Sequence, residues 1–157
     1  MSMKIYEYEK VFLGGTCNNS LWREELIPQL SIKYFNPVVE NWTLECQEEE
    51  LRQRKECDYC LYCITPKMTG VYSIAEVVDD SNKRPDKTII VVLNKDKEDG
   101  KKGLLSKLFI PDYHEQYLYF TESQRKSLRA VQNLIQINGG KSFDSLKEVA
   151  EFLNKHF

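Results

Sequence analysis

The sequence lacks long apolar runs. Its apolar stretches, such as residues 89–93 and 61–64, are far shorter than the roughly 20 residues needed to cross a bilayer. The first ten residues are charged and contain no apolar segment followed by a small-residue cleavage site, so we expect no secretory signal. We therefore expect a cytoplasmic protein that does not contact membranes.

The sequence also lacks an excess of charge of either sign and has few histidines. Its 22 Lys and Arg residues face 24 Asp and Glu residues, for a formal net charge of −2. This balance disfavours binding to bulk nucleic acid through overall positive charge. The only two histidines, His114 and His156, do not suggest histidine-based catalysis, and we expect both at the surface.

The five cysteines do not indicate a disulfide framework, because an odd number in a chain of 157 residues fits a reducing compartment. Three of them, Cys57, Cys60 and Cys63, are spaced like metal ligands. The residues between them favour a strand, which would hold Cys57 and Cys63 about 20 Å apart and turn Cys60 to the opposite face. We therefore expect buried structural thiols and no metal site.

Strand and helix patterns alternate along the chain, whose length is typical of one domain spanning residues 1–157. Alternation of this kind predicts a single-domain α/β fold with a doubly wound parallel sheet of four to five strands. The predicted strands are residues 10–14, 33–36, 58–65 and 88–93, with 117–121 as a short fifth. The predicted helices are residues 21–30, 44–56, 70–80, 122–137 and a last one from about 144.

Several local features accompany this assignment. Asn19 or Ser20 can cap the first helix, Thr43 the second and Ser145 the last. The segment 94–106 is lysine-rich and aperiodic, which predicts a loop and makes it a candidate lid.

The second helix, residues 44–56, is so polar that we expect it to be mostly solvated. Its Glu48/Arg52 and Glu50/Arg54 spacings predict ion pairs along its own surface.

In an open parallel sheet, ligands bind beyond the carboxyl ends of the strands, where the strand order reverses. The loop after the first strand contains Gly14, Gly15, Thr16 and Asn18. Its backbone N–H groups could hold a phosphate, or the segment is a simple tight turn. It matches neither GxxxxGK[ST] nor GxGxxG, and we expect no dinucleotide or other cofactor.

The loop after the second strand contains Asn36, Glu40, Asn41 and Trp42. It places amide and carboxylate groups next to a large aromatic ring. Trp42 could stack on a base or pack in the core, and the sequence leaves both open.

Glu76 interrupts an apolar segment of the third helix, residues 74–78. A carboxylate among apolar neighbours is costly unless it is used or paired, which makes Glu76 a candidate functional residue. The alternative is a glutamate at the edge of the apolar stripe with its carboxylate in water. Asp79 and Asp80, later in the helix, are expected on a solvated face.

Together these segments resemble the nucleoside 2-deoxyribosyltransferase-like family over about residues 10–95. The segments that carry the resemblance are Val11-Phe12-Leu13-Gly14-Gly15-Thr16, Tyr34-Phe35-Asn36-Pro37 through Asn41-Trp42, a strand ending Ile64-Thr65-Pro66, and a helix with Gly70 and Glu76.

The resemblance implies a flavodoxin-like fold and chemistry on the N-glycosidic bond of a small-molecule nucleoside or nucleotide. By position, Glu76 would attack the anomeric carbon. The glycine loop, the 36–42 segment and Gly70 would form the substrate pocket. Tyr72 and Ser73 precede Glu76 by four and three residues, so either could hydrogen-bond to it. A homo-oligomer is also implied.

The sequence departs from the family's active transferases in one respect, since no Asp or Glu lies between Thr65 and Glu76. The role of general acid would then pass to Glu40 or to a group from elsewhere in the chain. The leading hypothesis is an enzyme that cleaves or transfers at the N-glycosidic bond. The alternatives are a nucleotide-binding or sensing module without turnover, and a partner-docking domain.

Overall fold

The computed structural model describes residues 9–98, 108–109, 114 and 116–155. The strands are β1 (Lys10–Gly15), β2 (Lys33–Phe35), β3 (Tyr59–Ile64), β4 (Thr88–Val92), β5 (Lys95–Lys97), β6 (Tyr117–Tyr119) and β7 (Lys141–Phe143). The helices are α1 (Trp22–Leu26), α2 (Leu44–Glu56), α3 (Tyr72–Lys83), α4 (Glu122–Ile137) and α5 (Leu146–Asn154), with short 3₁₀ turns at Ile27–Gln29 and Pro85–Lys87.

Five strands form one sheet in the order β2-β1-β3-β4-β7, and every pair is parallel. The order reverses at β1, where the chain crosses from β2 back to β3 on the other side. This is the flavodoxin-like arrangement, and it confirms the predicted fold class. The register places Gly14 beside Tyr62 and Gly15 beside Cys63, which determines how the two strands meet at their carboxyl ends.

Helices cover both faces of the sheet, which is why β3 and β4 are almost continuously apolar. On one face the sheet packs against α1 and α5, through residues such as Trp22 and Leu153. On the other it packs against α3 and α4, through residues such as Val77 and Ile135. No helix in the described part of the chain is both long and apolar enough to span a membrane.

The fifth strand of the sheet differs from the prediction. The predicted strand at 117–121 exists as β6, but it pairs antiparallel with β5 in a separate two-stranded sheet. The fifth parallel strand is β7, whose three residues are too few to show an alternating pattern. The segment predicted as a loop therefore begins with a strand, and its residues 99–106 lie outside the described residues.

The first helix is shorter than predicted. The α-helical part ends at Leu26, and Pro28 lies in the 3₁₀ turn that follows, where a missing N–H is tolerated. Neither Asn19 nor Ser20 caps it, because the N-cap is Leu21. Asn18 and Asn19 instead adopt positive φ angles of 46° and 61° in a turn closed by the Ser20 N–H on the Cys17 carbonyl, at 2.8 Å.

The other predicted caps are confirmed. The Thr43 hydroxyl accepts a hydrogen bond from the Cys46 N–H at 3.3 Å, and the Ser145 hydroxyl accepts one from the Glu148 N–H at 3.2 Å. His114 is exposed, as expected, and His156 lies outside the described residues.

The cysteines of the 57–63 segment are buried, as predicted, and Cys60 and Cys63 pack on opposite faces of the sheet. Cys57 shares the face of Cys60, contrary to expectation, because it precedes β3 and does not follow the strand's alternation. Burial raises the pKa of the Cys57 thiol to about 11 and that of Cys60 to about 12, so both are protonated at neutral pH.

Gly15 lies close against the backbone of β3. Its φ of 116° disfavours any other residue, and a Cβ there would lie 2.1 Å from the Cys63 carbonyl oxygen. The chain can pass this close to β3 only where the side chain is a hydrogen atom.

We therefore expect Gly15→Ala to reduce the free energy of unfolding by at least about 3 kcal/mol, through backbone strain and collision with β3. The matched control is Gly70→Ala, where no atom lies within 4 Å of the added Cβ. Urea denaturation followed by circular dichroism measures both. Similar losses in the two variants would contradict this account.

Candidate active site

The site is built on a buried arginine of the polar helix α2. The Arg54 side chain is only 6% exposed and points toward α3, where its Nε and Nη2 donate to Asp80 at 3.2 and 2.8 Å. The predicted surface pair with Glu50 is therefore wrong for Arg54. The other predicted pair is wrong too, because Arg52 binds Glu49 and Glu56 instead of Glu48. Arg54 pairs with the carboxylates of Glu76 and Asp80 on α3, and this draws its side chain away from the surface of α2.

Asp80 is the acceptor at the centre of this contact. It is fully buried, which corrects the expectation of a solvated face. Arg84 donates to it at 2.8 and 3.0 Å, and the Tyr62 hydroxyl donates a short hydrogen bond. Burial alone would raise the pKa of Asp80, but the hydrogen bonds from Arg54, Tyr62 and Arg84 lower it below its usual value. Asp80 is therefore ionised and saturated with donors.

Tyr62 connects this cluster to the glycine turn. A Cβ on Gly14 would lie 2.8 Å from the Tyr62 ring, so the glycine leaves the space that the ring occupies. The ring in turn carries its hydroxyl to Asp80, and burial raises the pKa of Tyr62 far above its usual value. Gly14 thus leaves room for the ring whose hydroxyl donates to Asp80.

Glu76 lies beside the same arginine, one helical turn before Asp80. Its Oε2 is 3.4 Å from Nη1 of Arg54, and its side chain is 14% exposed. Burial raises the pKa of Glu76 to about 7, the Arg54 charge opposes this rise, and Glu50 and Asp80 add to it. As expected, the Glu76 carboxylate lies where burial makes its charge costly. Arg54 is the partner that offsets part of this cost.

Glu76 opens into a small pocket of about 210 Å³ between α2 and α3. The residues that line it are Trp42, Gln47, Glu50, Leu51, Arg54, Tyr72 and Glu76. Trp42 is 56% exposed and Tyr72 66%, so Trp42 is not a core residue and both rings offer a surface to a ligand. The pocket combines two carboxyl groups, one guanidinium and two aromatic rings.

The structure brings only some of the predicted residues to this pocket. Trp42, Tyr72 and Glu76 line it. The predicted residues that do not line it are Gly14, Gly15, Thr16, Asn18, Asn36, Glu40, Asn41, Gly70 and Ser73.

The glycine loop instead binds to the end of β3 and to the loop that follows it. The Thr16 N–H donates to the Cys63 carbonyl at 2.9 Å, and the Thr16 hydroxyl accepts from the Thr65 N–H at 3.0 Å. The Asn18 amide donates to the Lys67 carbonyl at 2.8 Å. The Thr16 N–H is therefore already used within the fold and is not free to bind a phosphate.

A larger cavity of about 540 Å³ lies between α1, α5 and the β5–β6 pair. None of the predicted site residues lines it. Its acidic groups have partners, because Asp96 accepts from Ser20 at 2.5 Å and from Thr65 at 2.6 Å, and Glu25 lies 3.8 Å from Lys97. We therefore place the candidate site at Glu76.

Comparison with protein-family models matches residues 8–96 to the nucleoside 2-deoxyribosyltransferase-like family. The chain belongs to this family. The match covers more than half of the chain and includes α2, α3 and every residue that lines the Glu76 pocket. Comparisons with curated proteins and with solved structures found no match.

Sequence reasoning missed Glu50, Arg54, Tyr62 and Asp80. One available signal was the spacing of Glu76 and Asp80, which are four residues apart and share a helix face. If Glu76 faces the interior, this spacing predicts that Asp80 faces it as well.

The raised pKa of Glu76 has a consequence for stability. The folded state holds the Glu76 proton more tightly than the unfolded state, whose value is near 4.5, so ionisation of Glu76 opposes folding. This cost is absent below about pH 4.5, grows up to about pH 7 and is constant above it.

Glu76→Gln removes this cost and should stabilise the protein at pH 8 by roughly 1–3 kcal/mol, with a gain that disappears as the pH falls to 4.5. Urea denaturation across this pH range measures the effect. Glu48→Gln, at an exposed position of α2, is the control and should change little. Loss of stability in Glu76→Gln at pH 8 would contradict the account.

Proposed function

We propose that the chain cleaves or transfers at the N-glycosidic bond of a nucleoside or nucleotide, with Glu76 as the nucleophile and without a cofactor. The observation that carries the proposal is the position of Glu76, a largely buried carboxylate that opens into a pocket with exposed aromatic walls. Membership of the family supports the same class of substrate.

In the proposed reaction, one Glu76 oxygen attacks C1′ of the sugar while the bond from C1′ to the base nitrogen breaks. The bonding electrons leave with the base, which takes up a proton from a general acid. Water or a second base then attacks C1′ of the glycosyl ester and releases Glu76 as a carboxylate. The Arg54 charge favours the ionised form of Glu76 that this attack requires.

A nucleophile must not be held in a tight ion pair, and the contact between Arg54 and Glu76 is a long one. Arg54 directs two donors to Asp80 and only Nη1 to Glu76, at the longer distance of 3.4 Å. When Glu76 becomes an uncharged ester, Asp80 still neutralises the buried guanidinium.

We propose that Trp42 and Tyr72 provide stacking surfaces for the substrate. The family's pattern assigns further substrate contacts to Asn36, Glu40 and Asn41, which precede α2 together with Trp42. Glu40 is exposed and lies outside the lining of the pocket, which argues against it as the general acid.

We also propose a homo-oligomer in which a second copy completes the site. The pocket, at about 210 Å³, is smaller than the roughly 300–1,000 Å³ typical of small-molecule sites. Exposed apolar side chains of Trp42, Leu44, Val71 and Tyr72 occur at the start of α2 and α3. A purely monomeric protein in sedimentation would contradict this proposal.

A second candidate is a nucleotide-binding or sensing module on the same fold. The observation that favours it is the absence of Asp and Glu between Thr65 and Glu76. In such a module Glu76 orients a ligand without attacking it.

Incubation with a panel of nucleosides and nucleotides distinguishes the candidates. We expect wild type to release free base and Glu76→Ala to lose at least about 10³-fold in rate, because the nucleophile is gone. Glu48→Ala is the control and should retain the wild-type rate. High-performance liquid chromatography measures the released base.

A 2-fluoro sugar analogue provides the second readout. The nucleophile hypothesis predicts a covalent adduct on the peptide that contains Glu76, detected by mass spectrometry. Ligand-induced thermal stabilisation without base release or adduct would support the binding module and overturn the catalytic proposal. No affinity for any nucleotide would point to a partner-docking domain.

A further inference from the structure

The Glu76 pocket contains a second carboxyl group, contributed by Glu50 of α2. We propose that Glu50 is the general acid and base that works with Glu76. This inference rests on the proposed function and supplies the proton donor that the segment between Thr65 and Glu76 lacks.

The placement of Glu50 follows from the anchoring of α2. Glu50 precedes Arg54 by four residues, so the two side chains share one face of the helix, one turn apart. Arg54 fixes that face against α3 through Asp80 at 2.8 Å and Glu76 at 3.4 Å. Glu50 is thereby held at the wall of the pocket into which Glu76 opens, and it is partly buried there.

The other acidic groups nearby are less suited to the role. Asp80 is fully buried and receives hydrogen bonds from two arginines and a tyrosine, so it has no proton to give. Asp79 binds Lys83 at 3.0 Å and Arg54 at 3.4 Å and does not line the pocket. Glu40 is exposed and outside the pocket lining.

The ionisation of Glu76 is coupled to that of Glu50. The charged groups that act on Glu76 are Arg54 and Glu50 from α2 and Asp80 from α3. Burial raises the pKa of Glu50 as well, and Arg54 opposes the rise. A charge on Glu50 further raises the pKa of Glu76, so the form with one proton on the pair is favoured over the form in which both groups are charged. The reaction requires the form in which Glu76 is charged and Glu50 carries the proton, and the Arg54 nitrogen 3.4 Å from Glu76 stabilises that charge.

The proton then follows a closed cycle. Glu50 gives its proton to the leaving base nitrogen as the C1′–N bond breaks and the Glu76–C1′ ester forms. The Glu50 carboxylate next takes a proton from the attacking water, or from the N–H of an acceptor base. The new bond to C1′ forms, the ester bond breaks, and both glutamates return to their initial states.

Leaving-group chemistry tests this role. An N7-methylated purine is a cationic leaving group that departs as a neutral base and needs no proton. We expect Glu50→Gln to slow base release from an ordinary purine nucleoside by about 10²- to 10⁴-fold. In a single-turnover measurement, which does not depend on the later attack of water, the same variant should release an N7-methylated purine within about tenfold of wild type, which also shows that it is folded.

Two variants complete the experiment. Glu76→Gln should lose activity on both substrates, since a better leaving group does not replace the nucleophile, and Glu48→Gln should match wild type on both. Equal losses of single-turnover release on both substrates in Glu50→Gln, or no loss on either, would overturn the role of Glu50 while leaving the nucleophile proposal intact. A wild type that releases no base from either substrate would overturn both proposals.

Discussion

Arg54 carries its charge into the contact between α2 and α3, and the candidate site depends on that contact. The guanidinium is bound in two places by Asp80 and reaches Glu76 with its remaining nitrogen. Asp80 is held from its other side by Arg84 and Tyr62. Without Arg54, Asp80 would lose one of its two cationic partners, and α2 would lose the group that binds it to α3.

A buried ion pair of this kind adds little net stability, because the cost of removing both charges from water offsets most of their attraction. The ion pair instead determines positions. It holds the Arg54 guanidinium 3.4 Å from Glu76 and places Glu50 at the wall of the same pocket. The pocket then contains two carboxyl groups whose protonation is set by burial and by one shared arginine. The proposed double displacement at a glycosidic carbon uses two carboxyl groups of this kind.

The sequence predicted the fold well, because runs such as residues 88–93 are unambiguous strands between amphipathic helices. It missed β7, whose three residues show no periodicity, and it placed β6 in the wrong sheet because pairing partners are set by tertiary contacts. Glu76 could be found because it interrupts an apolar segment. Arg54 could not, since a polar helix gives no sign of which arginine points inward until its packing against α3 is known.

The central claim is that burial, moderated by Arg54, gives Glu76 an unusual affinity for its proton. Carbon-13 NMR titration of the Glu76 carboxyl carbon, assigned by its disappearance in Glu76→Gln, measures this affinity directly. The account predicts a pKa near the value of about 7 that the environment imposes. A pKa of 4.5 or below would show that burial does not dominate the ionisation of Glu76 and would contradict the account.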